Sequence, residues 1–283
     1  MNTRRDFIRL TGAGLLAAGT VPVFGKEAVS EAAQVEPGKK KADLFSIGMA
    51  GYTFAQVPIE KAIEIMKRVN VLNLSLKDVY LPMNSTPETI KSVIGRLKSE
   101  GITVYTVGVV YMKSEQEVDR AFEYAKNAGV KMIVGAPNYE LLPYVEKKVK
   151  DYDMRLAIHN HGPDNPLFPN ATDIWNHIKD MDARMGICLD IGHTVRDGAD
   201  PSVDADRYSK RLFDIHIKDV TDASKAGRTV EMGRGVIDIP KFVATLRKIK
   251  YSGMCSLEYE KDMKDPLAGI AESIGYFKGV MAV

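Results

Sequence analysis

The chain has 283 residues, of which 45% are hydrophobic and 27% charged, a balance that supplies a sizeable core and excludes a disordered or collagen-like polymer. Thirty-nine basic residues face 37 acidic ones, a formal charge of +2. Arg4, Arg5 and Arg9 against Asp6 account for that excess, so the body carries no net charge and offers no electrostatic ground for binding nucleic acid or anionic lipid.

The first 25 residues read as a targeting segment. Basic Thr3-Arg4-Arg5-Asp6-Phe7-Ile8-Arg9 precedes an apolar stretch, 10–25, without an acidic residue. Its 16 residues include Gly12, Gly14, Gly19 and Pro22, whereas a spanning helix needs about 20 apolar residues. The paired arginines resemble an export signal of the twin-arginine type, which implies a periplasmic or otherwise exported protein with no stable membrane insertion after signal removal. No cysteine in the leader offers a lipid attachment point. Residues 26–43 form a polar linker rich in Glu, Ala and Lys.

From residue 44 onward, β-rich runs alternate with amphipathic helical stretches. Eight strands are expected at 44–52, 71–77, 103–110, 131–136, 155–161, 185–191, 212–218 and 254–260. Helices are expected at 58–69, 87–97, 115–127, 142–150, 171–179, 203–210, 239–248 and 265–277. Pro58 opens the first, Thr86 caps the second, and Gly101 and Gly129 close the second and third. Eight βα units in about 240 residues predict a single-domain (β/α)8 TIM barrel over 44–283. An open doubly wound sheet is the weaker reading, because no Gly-x-Gly-x-x-Gly turn follows the first strand. Cys188 and Cys255 fall in separate apolar runs and read as core residues.

A barrel draws its chemistry from the C-terminal ends of its strands. Four of the five histidines, His159, His161, His193 and His216, lie there, while His177 falls in a helical run and reads as surface or interface. Alternate strand residues share a face. With Leu156 and Ile158 turned toward the helices, Ala157, His159 and His161 point inward. By the same rule Gly186, Cys188 and Asp190 point inward on the sixth strand, Asp214, His216 and Lys218 on the seventh, and Ser256, Glu258 and Glu260 on the eighth. His159, Asp190, His216 and Glu258 therefore converge on one point. Two imidazoles and two carboxylates suit one divalent ion, Mn²⁺ or Zn²⁺ by preference, with Mg²⁺ or Co²⁺ as alternatives. Carboxylates buried there without a cation would cost several kcal/mol each. Pairing of Lys218 with Asp214 or Asp219 is the competing structural reading.

Leu189-Asp190-Ile191-Gly192-His193, Asp214-Ile215-His216-Ile217-Lys218-Asp219 and Leu257-Glu258-Tyr259 resemble the xylose isomerase-like barrels, the sugar phosphate isomerase/epimerase type, from residue 44 to the C-terminus. The resemblance implies Asp190, His216 and Glu258 as metal ligands and His193 as the holder of a substrate hydroxyl. It also implies a small-molecule carbohydrate partner and leaves a homo-oligomer open. His159 stands where the family usually has a glutamate that is both ligand and acid/base, so the paired glutamates of 3-epimerisation are not reproduced.

The expected reaction is removal of a proton beside a sugar carbonyl through an enediolate, giving isomerisation or epimerisation. Elimination from a keto-sugar or 3-keto-glycoside is the alternative outcome, and a barrel that binds metal or carbohydrate without catalysis is a further one. Glu258 is the expected base, His161 or Lys218 the proton donor, and His193 and Glu260 substrate contacts. Arg234, in the long loop after the seventh strand, is expected to cap the site and hold substrate.

Overall fold

In the computed structural model, which describes residues 43–283, eight parallel strands close into one barrel. The leader expected over 1–25 and the linker up to residue 42 lie outside the described residues. In chain order the barrel strands are β1 (Ser46–Ala50), β2 (Asn73–Leu76), β3 (Thr103–Met112), β4 (Met132–Pro137), β5 (Arg155–His159), β6 (Met185–Asp190), β7 (Leu212–Ile217) and β8 (Met254–Leu257). Each pairs with its sequence neighbours, and β1 pairs with β8 to complete the circle.

Helices cover the outside: α1 (Ile59–Val69), α2 (Pro87–Ser99), α3 (Glu115–Asn127), α4 (Leu142–Asp151), α5 (Ala171–Ile178), α6 (Ile191–Arg196), α7 (Pro201–Arg207), α8 (Ile239–Lys248) and α9 (Leu267–Ala282). Their starts follow side-chain caps: Thr86 accepts from the Thr89 amide, Ser114 from Glu117 and Asn170 from Asp173. No helix among the described residues is long and apolar enough to cross a membrane.

Two apolar layers result from the two-residue period of the strands. Leu156, Ile158, Ile187, Leu189, Ile215 and Ile217 pack outward beneath the helices. Val134, Ala157 and Cys188 fill the barrel itself. Both cysteines are buried and unpaired. Lower in the barrel the Tyr105 hydroxyl reaches Asp214 Oδ2 at 3.0 Å and Ser256 Oγ at 2.6 Å. Burial drives the Asp214 pKa up to about 7. Asp214 is thus engaged by Tyr105 and not by Lys218.

The structure departs from the expected elements at the strand ends. β5, β7 and β8 stop at His159, Ile217 and Leu257, so His161, Lys218, Glu258 and Glu260 stand just past the ladder. The helix expected at 203–210 begins earlier, at Pro201, because Asp200 caps it through the Ser202 amide. The strand expected at 185–191 ends one residue early and α6 takes over at Ile191: Asp190 Oδ1 accepts the His193 amide and turns the chain into a helix at once.

Candidate active site

The C-terminal mouth of the barrel gathers the residues singled out from the sequence. β6 and β7 lie in register with Asp190 opposite His216, and β7 and β8 with His216 opposite Ser256. The Glu258 amide extends that ladder by donating to Ile217 O at 3.0 Å. One donor atom from each of His159, Asp190, His216 and Glu258 lies within 4.8 Å of all the others, and all four residues are buried.

The individual spacings are His159 Nε2 to His216 Nδ1, 3.1 Å; His159 Nε2 to Asp190 Oδ2, 3.6 Å; and His216 Nδ1 to Glu258 Oε1, 3.5 Å. Ligand bonds of about 2.0–2.2 Å place neighbouring donors around one ion roughly 2.8–3.6 Å apart, from octahedral to tetrahedral. These three spacings fall in that range, and the four donors all lie within 4.8 Å of one another. Asp190 Oδ2 has no hydrogen-bond donor of its own, although the Lys218 ammonium stands 3.1 Å away.

Lys218 decides the electrostatics. Only 2% of it is exposed, and Nζ donates to Glu258 Oε2 at 2.8 Å and to Glu260 Oε1. Burial alone would lower its pKa, but Asp190, Glu258 and Glu260 together hold it well above the usual lysine range. Burial would likewise raise Asp190 and Glu258, and the Lys218 charge overrides it and keeps both carboxylates ionised. Three carboxylates thus surround one ammonium, and a divalent cation in the same cluster would complete charge neutrality. Donor set, spacing and charge all fit such an ion.

The pairings of Lys218 with Asp214 or Asp219 do not form. Asp219 is turned instead to backbone amides, accepting from Val220, Gly233, Gly235 and Ile237. That folds the Gly233-Arg234-Gly235 turn onto Asp219. Arg234 is consequently not brought to the site: its guanidinium is 63% exposed and pairs with Glu272 on α9.

Above the cluster lies a pocket of about 330 Å³, lined by His159, His161, His193, Glu258 and Glu260 and walled by Tyr52, Lys77, Val109 and Tyr111. Burial pushes the pKa of His161 down to about 3 and that of His193 to about 4, so both rings are neutral at neutral pH. His161 Nε2 shares a 2.9 Å hydrogen bond with the Tyr111 hydroxyl. His177 is elsewhere, half-exposed and stacked on Tyr139. A larger concavity of about 580 Å³ opens at the opposite barrel face beside Tyr105, Arg155 and Arg184. Arg184 there is committed to Asp153 and Asp182, and none of the clustered donors reaches it.

Several contributors escape the sequence pattern. Asn160 ties β5 to β6, its Oδ1 accepting the Asp190 amide at 2.8 Å and its Nδ2 donating to Asp190 O. Tyr111 reaches the pocket because β3 runs two residues beyond its expected end. Gly192 leaves room for Lys218: a Cβ there would stand 2.4 Å from Lys218 Cγ.

A closed parallel barrel with this donor cluster at its mouth defines a TIM barrel with a candidate metal site, and comparison specifies the family. The profile described as xylose isomerase-like TIM barrel matches residues 59–280, and the chain belongs to that family. Among solved structures it is similar to an uncharacterised protein of Parabacteroides distasonis, at 24% identity over 83% of this chain and 99% of that one, TM-score 0.66. It is also similar to an L-ribulose 3-epimerase (14% identity, 84% and 95% coverage, TM-score 0.69). A third is the 3-keto-D-glucoside 4-epimerase of E. coli (15% identity, 83% and 99% coverage, TM-score 0.67). A comparison with curated proteins finds no match.

Proposed function

We propose that the protein is a divalent-metal-dependent sugar isomerase or epimerase that moves a proton at the carbon next to a sugar carbonyl. The observation that carries this reading is the four-residue donor cluster, spaced for one ion, at the floor of a pocket walled by Tyr52, Tyr111, His161, His193 and Glu260. Similarity to an L-ribulose 3-epimerase and a 3-keto-D-glucoside 4-epimerase supports a carbohydrate substrate, and the basic leader supports export.

His159, Asp190, His216 and Glu258 would hold the ion, which would polarise a substrate carbonyl and its neighbouring hydroxyl and make the adjacent C–H more acidic. Glu258 takes that proton. Its carboxylate is kept ionised by the Lys218 ammonium, and general-base help of this kind is typically worth about 10²–10⁴-fold. Of the two candidate donors, Lys218 carries a proton at neutral pH and His161 does not, so proton return falls to Lys218 Nζ, which is reprotonated by Glu258 along their 2.8 Å hydrogen bond. His161, bonded to Tyr111, orients a substrate hydroxyl, and His193 holds a second oxygen beside it. Glu260, partly exposed at the rim and bonded to Lys218, contacts substrate from the loop after β8.

His159 favours a second reading. No carboxylate rises from β5 to work the opposite face of the substrate, so chemistry confined to one face, including β-elimination from a 3-keto-glycoside, is served equally by this site. Incubation with Mn²⁺ in D₂O against free ketoses and 3-keto-glycosides separates the readings. Deuterium beside the carbonyl without loss of a substituent supports isomerisation or epimerisation. Release of an aglycone transfers the assignment to the lyase, and metal binding with neither outcome leaves a binding barrel.

A further inference from the structure

Asp190 caps α6, and His193 and Arg196 follow it at three-residue intervals, so each is a helical neighbour of the next. The His193 amide donates to Asp190 Oδ1 at 2.8 Å, and the His193 ring presents Nδ1 to Arg196 Nη1 at 3.3 Å. A guanidinium in a protein is only a donor and does not lose its proton. Nη1–H therefore donates, and Nδ1 must offer a lone pair. In a neutral imidazole the ring proton then sits on Nε2.

Arg196 is itself clamped. Nη2 bonds the Asp164 carboxylate and donates to Lys225 O at 2.9 Å, while Lys225 Nζ lies 3.4 Å from Asp164. Asp164 belongs to the loop after β5 and Lys225 to the loop after β7, so the guanidinium is gripped from two loops and its side chain is only 15% exposed. Gly162 closes the same edge of the ring. Its φ of 74° suits glycine, and a Cβ there would stand 3.2 Å from His193 Nδ1. With Nδ1 walled off by Arg196 and Gly162, Nε2 is the nitrogen left to meet a ligand in the pocket that His193 lines.

We propose that Arg196 is a positioning residue that fixes His193 as the Nε2–H tautomer, so that His193 meets substrate as a hydrogen-bond donor and not as a proton acceptor. The group it holds is an acceptor oxygen: a carbonyl, an alkoxide or the lone pair of a hydroxyl. The tautomer follows from the geometry alone, and only the identity of the ligand rests on the function proposed above.

The test is long-range ¹H–¹⁵N spectroscopy of protein carrying ¹⁵N-labelled histidine, at one slightly alkaline pH, metal-free and with Zn²⁺, using His193→Gln to assign the ring. Wild type should show His193 as Nε2–H in both states. Arg196→Met should turn that single form into a mixture with Nδ1–H, and Arg196→Lys, which keeps a donor-only cation, should restore most of the original form. An Nδ1–H signature in wild type overturns the proposal whatever the variants do, and so does an Arg196→Met ring identical to wild type. The measurement uses no sugar, so absence of turnover would remove the proposed function while leaving this result to stand or fall by itself.

Discussion

Replacing Lys218 by methionine removes a buried positive charge while keeping much of the side chain's bulk. The ammonium stands 3.1 Å from Asp190 Oδ2 and 2.8 Å from Glu258 Oε2, and it bonds Glu260 as well. At an effective dielectric of about 20, each of the closer pairs is worth on the order of 5 kcal/mol before desolvation is subtracted. Leaving buried carboxylates without their partner typically costs about 3–5 kcal/mol. For a domain of this size that corresponds to a melting point roughly 6–20 °C lower in chelator. A divalent ion in the cluster supplies the missing charge, so added Mn²⁺ or Zn²⁺ should raise the melting point of Lys218→Met more than that of wild type. Calorimetry of both proteins, with chelator and with metal, reads the two effects. Equal melting in chelator would refute the claim that Lys218 neutralises these carboxylates, and an equal metal-induced rise would refute the claim that ion and ammonium share them.

Glu258→Gln preserves the shape of the side chain but not its charge, and solvent-deuterium exchange into a substrate should fall about 10²–10⁴-fold. Gly192→Ala would drive a Cβ to within 2.5 Å of both Lys218 Cγ and Cδ, so a loss of about 1–3 kcal/mol in urea unfolding is expected, and wild-type stability would show that Lys218 has slack. Away from the site, hydrogen bonding from Lys261 holds the Glu231 pKa down at about 2, with help from the Tyr259 hydroxyl. A depressed folded-state pKa stabilises the protein above the unfolded value near 4.5, and that stability drains away as pH falls toward 2. Glu231→Gln should therefore flatten the dependence of unfolding free energy on pH across that window, and an unchanged slope would exclude Glu231 as a contributor.

The barrel is legible in the sequence because strand and helix periods differ and recur eight times. The inward set is legible for a related reason: apolar Leu156 and Ile158 fix one face of β5, leaving Ala157 and His159 for the other. Period arguments weaken where strands stop. Lys218, Glu258 and Glu260 stand beyond the ladder, and contacts between positions 40 residues apart depend on how β7 and β8 lean together, which no local pattern encodes. α6 was hidden because Ile191-Gly192-His193-Thr194-Val195-Arg196 is short and β-branched in part, and only the Asp190 cap makes it helical. The spacing of Asp190, His193 and Arg196 carried that signal. Arg234 illustrates the opposite error: a glycine-flanked arginine in a long loop resembles a substrate clamp, but Asp219 collects the amides of the turn and aims the guanidinium at Glu272.

Elemental analysis of the full-length protein, purified without chelator, bears most directly on the donor cluster. One divalent ion per chain is expected, with loss of that ion in Asp190→Asn and in His216→Ala. A chain that holds no divalent ion after Mn²⁺ or Zn²⁺ has been supplied, or variants that retain it in full, would contradict the assignment of His159, Asp190, His216 and Glu258 as its ligands.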